Sequence, residues 1–263
     1  MSHSFKIKAR LIRIGFLVNQ MYKEAITVKI ISNFLFIIMQ YYIWKSIYTT
    51  NSNINIFSFK EMFSYVIIAQ ILSNIYPMQV SSKIGSLVKS GDISFTLLNP
   101  MSFIKQLFFE NIGSSIFKLA ILNLPMYILY MIFIGFNLTF VNIVKFLIIF
   151  VFSYGFYFIF ELVFGILSFY TTSQWGLQSF KYAIITLLSG RIIPVDFYPK
   201  ILAKIFKFLP FKYMYNAPIS IILGKDNQFI QMISMQIINL FLMFIIYKIF
   251  YKKTLKRLTI QGG

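Results

Sequence analysis

Apolar residues run in long blocks along this chain, separated by short stretches where lysine, glycine, proline or asparagine cluster. Six blocks, at about 26–46, 62–80, 113–136, 143–169, 177–194 and 229–250, each come near the roughly 20 residues a helix needs to cross about 30 Å of hydrocarbon. The pattern predicts six transmembrane helices. Ahead of them, residues 4–25 alternate apolar positions such as Phe5, Leu11, Ile14 and Val18 with Lys6, Lys8, Arg10, Arg13 and Lys23. That alternation suits a helix lying in the headgroup plane, with a disordered basic tail as the alternative. No small-residue cleavage site follows a short apolar core, so the first span is expected to stay in the mature protein.

The pattern is most irregular between Leu187 and Gly224. Gly190, Arg191 and Pro194 cut off an apolar helix; Lys200, Lys204 and Lys207 then fall on one helical stripe, opposite Ile201, Leu202, Ile205, Phe206 and Leu209. Pro199 precedes that stretch, Pro210 ends it, and Pro218 prevents a plain continuation through Tyr215–Gly224. Irregular backbone at membrane depth is tolerated only where protein or a water-filled cavity covers it. Residues 189–228 are therefore expected to form a re-entrant lid over the outer mouth of a pathway, with an inert interfacial helix as the alternative.

A second irregular stretch covers residues 81–112. It starts amphipathic, breaks at Gly91-Asp92, turns apolar through Phe95, Leu97 and Leu98, and stops at Asn99-Pro100. Two short helices with a defined turn make a docking surface for a soluble partner whose motion must reach the spans, with a surface loop resting on headgroups as the alternative. No linker and no fixed-period repeat divides the chain, so residues 1–263 read as one domain.

Charge fixes the expected orientation. Basic residues crowd the N-terminal stretch, the loop after the second span (Lys83, Lys89, Lys105) and the tail (Lys252, Lys253, Lys256, Arg257), which places all three inside and demands an even span count. One loop disagrees: residues 195–228 carry Lys200, Lys204, Lys207, Lys212 and Lys225, yet the count puts them outside. Six spans are kept, because dropping one would separate the two basic termini.

Two ionisable residues fall inside apolar runs. Glu161, in FIFELVFG, and Lys181 are expected at similar depth towards the inner boundary, where an ion pair would lower the cost of both charges and join two spans. Asn33, Gln40, Gln70, Asn74, Gln79 and Asn123 also fall in spans, as polar links between helices.

Composition closes off other classes. With 58% hydrophobic residues, 32 Phe and 17 Tyr, no water-soluble domain has core enough to hide them. The net charge of +18 is spread in short groups flanking apolar runs, which speaks against nucleic acid and for lipid headgroups. There is no cysteine and the one histidine is His3, so neither metal nor nucleophilic chemistry finds its parts, and no catalytic residue is assigned. No G-x-x-x-x-G-K-[ST] occurs, so any ATP must be bound by another chain.

Four stretches, in order, resemble the permease subunits of ABC-2-type ABC transporters, in particular the bacterial group with a single six-span subunit. They are KSGDISFTLLNP (89–100), similar to that family's G-x-(I/L)-x-x-x-L-x-x-P; SGRIIPVDFYP (189–199); LPFKYMYNAPISIILG (209–224); and the terminal LTIQGG (258–263). The resemblance implies an all-α integral membrane protein with an N-terminal interfacial helix (1–25), a cytoplasmic coupling region (81–112) and two outer re-entrant helices between spans five and six. It implies a bacterial cytoplasmic membrane, both termini inside, a second permease copy or sister subunit, and separate ATP-binding cassette subunits holding ATP and magnesium. On it, Gly91, Asp92, Asn99 and Pro100 receive the ATPase stroke, and Gly190, Arg191, Pro194, Pro199, Pro210 and Pro218 shape the outer gate. The function expected is ATP-driven export of a hydrophobic or amphipathic cargo, with an ion-coupled carrier or channel as the rival.

Overall fold

The structure is a computed structural model that describes residues 3–50, 56–97, 101–134, 139–171, 173–225 and 228–261, side chains at 3, 4, 97, 133, 134, 207 and 255–261 aside. Among these residues every regular element is helical. In chain order they are α1 (His3–Met21), α2 (Lys23–Thr50), α3 (Phe59–Ile75), α4 (Val80–Ser90), α5 (Ile93–Leu97), α6 (Phe103–Phe117) and, through a π turn at Lys118–Leu122, α7 (Leu124–Ile134). Then come α8 (Phe140–Leu167), α9 (Gln174–Leu188), α10 (Lys200–Phe208), α11 (Asn216–Ile222) and α12 (Phe229–Gln261), with 3₁₀ turns at Val195–Phe197 and Pro210–Tyr213.

Three helices are long and apolar enough to cross a bilayer unaided: α2, α8 and α12. A fourth crossing is available to α6 and α7 together, which meet at a 46° bend. The bend has a local cause, since the π turn displaces the ladder and Pro125 follows within the first turn of α7. Asn123, at the bend, is held by Asn74 of α3, whose amide donates to its Oδ1 at 2.7 Å. Another polar pair, Gln70 Nε2 to Asn33 Oδ1 at 2.7 Å, ties α3 to α2.

Several expected boundaries move. The run 62–80 is one apolar block in sequence, but its helix ends at Ile75, because Pro77 disfavours helical geometry at Tyr76, where ψ is 149°. The run 177–194 stops at Leu188, and the interfacial stretch 4–25 divides at Tyr22. α3 and α9, at 17 and 15 residues, are shorter than an unaided crossing requires.

α3 is the centre of the molecule. A reciprocal cap starts it, with the Ser58 hydroxyl accepting from Glu61 N–H and Glu61 Oε2 accepting from Ser58 N–H, and most of its later residues are buried. Tyr65, Leu72 and Tyr76 pack with Tyr157, Phe160 and Phe164 of α8, Ile185 of α9, and Met214, Tyr215 and Ile219 from the broken segment. α8 is the second pillar, touching α4, α9, α11 and α12. On one flank α1 crosses α6 where Gly15 faces the Glu110 carbonyl and Gly113 faces the Ile12 carbonyl, an approach that admits no side chain at either glycine.

Candidate functional site

Two buried constructions stand out, one at the middle of α9 and one just past its C-terminal end. The first is a charge centre. Glu161 lies in the second half of α8 and Lys181 at the middle of α9, and Lys181 Nζ sits 2.7 Å from Glu161 Oε1, with side-chain exposures of 5% (Lys181) and 0% (Glu161). A buried pair of this kind needs further hydrogen bonds to offset desolvation, and Ser81 supplies them. Its backbone N–H donates to Glu161 Oε2 at 2.9 Å, its hydroxyl donates to the same oxygen at 2.7 Å, and its Oγ accepts from Lys181 at 2.7 Å. Lys181 also donates to the Met78 carbonyl at 3.2 Å.

Ser81 is the second residue of α4, so the carboxylate faces the positive end of that helix dipole. The sequence reading paired Glu161 with Lys181 but missed Ser81. Its signal was Pro77, which ends α3 and forces a new helix to begin, with free amides, a few residues later. The consequence is mechanical: the start of α4 is fastened to α8 and α9 through buried charge, while the last residues at its far end are exposed.

That far end is the Gly91-Asp92 turn. Gly91 terminates α4 at φ 83°, a left-handed conformation that side-chain-bearing residues avoid, and Asp92 Oδ2 accepts from the Ser90 hydroxyl at 2.7 Å. Gly91 and Asp92 are exposed, and Phe95 of α5 stands 74% exposed. Asn99 and Pro100 lie outside the described residues.

The second construction is the broken segment after α9. Its prolines all serve as helix starters: Pro194 and Pro199 occupy the N-caps of the Val195–Phe197 turn and α10, Pro210 opens the next turn, and Pro218 sits in the first turn of α11. A residue there has no intrahelical bond to lose, so Pro218 begins a helix where the sequence suggested an interruption. Gly190, at φ 79°, reverses the chain, and a Cβ there would meet Asn216 Cβ and Tyr65 Oη, both at 2.9 Å.

Buried backbone in this segment is bonded by side chains from other elements. Tyr65 donates to the Gly190 carbonyl at 2.6 Å; Asn216 Oδ1 accepts the Val195 N–H at 3.0 Å; and the Asn216 N–H donates to the Ser189 carbonyl at 3.1 Å. Ser153 of α8 donates to the Tyr213 carbonyl at 2.7 Å, Gln236 of α12 donates to Ser153 Oγ at 2.6 Å, and the Tyr76 hydroxyl donates to the Met214 carbonyl. Phe197 stacks on Phe57 and meets the edge of Trp44. This meets the condition for irregular backbone inside a bilayer, that protein must satisfy it.

Arg191 points back beside α9, its guanidinium 5.0 Å from the Tyr182 ring centroid. α10 is two-faced. Lys200 and Lys204 are exposed, and so are Ile201, Ile205 and Phe208, so among the described residues little covers its apolar side except at Phe206, which packs on Tyr198. The basic loop that defied charge counting is partly neutralised: Lys225 pairs with Glu61 at 2.8 Å. That contact sets Lys225 beside the first turn of α3.

Among the described residues, an all-helical architecture with several bilayer-length helices, a buried interhelical ion pair and a protein-braced broken segment defines a multi-pass membrane protein. The sequence profile described as ABC-2 family transporter protein matches residues 34–262, and the chain belongs to that family. Membership gives it the permease role of an ABC transporter, a non-catalytic membrane subunit that associates with an ATP-binding cassette subunit. No curated protein matches the chain.

Proposed function

We propose that this chain lines the translocation path of an ATP-driven exporter in a bacterial cytoplasmic membrane, working as a dimer of permeases on a hydrophobic or amphipathic cargo such as a peptide, antibiotic or lipid. Six spans serve it: α2, α3, α6 with α7, α8, α9 and α12. The two short ones gain their missing reach from covered backbone at 76–79 and 189–194. Both termini face the cytoplasm, α1 lies at the interface, and the 189–228 segment closes the outer mouth as re-entrant helices. ATP and magnesium belong to the partner subunit.

The observation that carries this reading is α4, one rigid helix joining the exposed Gly91-Asp92 turn to the buried Glu161–Lys181 pair. A push on the turn is delivered to α8 and α9 together, and α9 leads straight into the gate. The test is co-purification with the ATP-binding subunit from the native membrane. Replacing Gly91-Asp92 by Val-Lys should abolish it while the permease still inserts. Retained ATPase binding, or cargo movement by the purified chain alone on an ion gradient, would overturn the reading in favour of an ion-coupled carrier.

A further inference from the structure

A cavity of about 660 Å³ opens between α1, α2, α3 and the π turn after α6. Its charges are unbalanced. Lys83 and Glu110, both at its wall, neutralise each other at 2.6 Å. Lys29 of α2 and Lys118, which opens the π turn, also line it, and among the described residues no carboxylate pairs with either. Two cations therefore line one space. The remaining wall is substantially apolar, with Ile14, Val18, Ile26, Phe117 and Leu122.

Lys29 is exposed and Lys118 half-buried, and like charges sharing one largely apolar space repel each other unless an anion joins them. A π turn is itself a departure from regular helix that is frequent at functional sites, and here it carries Lys118. We infer that this cavity binds an anionic amphiphile, its phosphate or carboxylate head between Lys29 and Lys118 and its chain along Ile14, Val18 and Leu122. The inference rests on the membrane-permease reading for its setting and does not depend on export or on the direction of transport. The head could belong to a membrane lipid or to the cargo, and the chemistry is the same.

The experiment uses the full chain in nanodiscs of equal phosphatidylglycerol and phosphatidylcholine, with lipid retention counted by native mass spectrometry after release. Wild type should retain phosphatidylglycerol selectively, and Lys29→Gln with Lys118→Gln should weaken that at least about tenfold, two charge-assisted bonds being lost. The double change to arginine should keep it, which separates charge from folding, and Lys45→Gln should leave it untouched. In discs of phosphatidylcholine alone, dodecyl phosphate should bind and dodecylphosphocholine should not. Displacement of phosphatidylglycerol by dodecyl phosphate marks a site open to cargo, and resistance to displacement marks a structural lipid; either supports the shared chemistry. Equal retention of both lipids, unchanged selectivity in the glutamine variant, or inorganic phosphate binding as tightly as dodecyl phosphate would overturn it. Because no ATPase is present, a failure here is distinguishable from a failure of the export reading.

Discussion

Ser81 shows how much one hydroxyl can organise. It hydrogen-bonds to both members of the buried ion pair while belonging to a different helix from either, so three elements meet at its side chain and amide. Removing one charge should therefore hurt more than removing both. Glu161→Gln leaves Lys181 charged and buried, and should cost about 3–5 kcal/mol. Glu161→Leu combined with Lys181→Met should recover most of that. Denaturant titration of the purified chain supplies the double-mutant cycle, and additive losses would mean that the two residues are not energetically coupled. Apolar surroundings made Glu161 and Lys181 conspicuous in the sequence. Ser81, Tyr65 and Asn216 were not, because serine, tyrosine and asparagine are unremarkable in isolation and their partners lie far away; Tyr65 and Asn216 are 151 residues apart.

Among the elements, local chemistry was legible and long-range shape was not. Gly91 and Gly190 announced their turns, since both adopt positive φ, and the prolines announced a segmented stretch. The 46° bend between α6 and α7 escaped notice because an apolar block reads the same straight or bent, and Asn123 finds its partners on α3. The tight crossing of α1 on α6 was equally hidden. It yields its own prediction: Gly113→Leu should force the helices apart, costing about 1–3 kcal/mol. Faster tryptic cleavage at Arg10 and Arg13, with the remaining helices still protected, is the expected result, and unchanged cleavage would show that the crossing can relax.

For the whole molecule, the proposed six spans and the two-ended arrangement make a topological prediction. Cysteines replacing Lys200 or Lys204 should react with an impermeant maleimide added outside intact cells, whereas a cysteine replacing Lys89 should react only after lysis. The opposite pattern would invert the protein in the membrane and the mechanism with it. What moves between these two faces is constrained by how the broken segment is held. The carbonyls of Gly190, Tyr213 and Met214 are gripped by α3 and α8, and the α8 grip is backed by α12. Small displacements strain all of these bonds together, because each donor has its acceptor in this one register. On the proposed gate reading, such a segment yields in one cooperative step instead of by graded opening, which would make leakage rare between strokes.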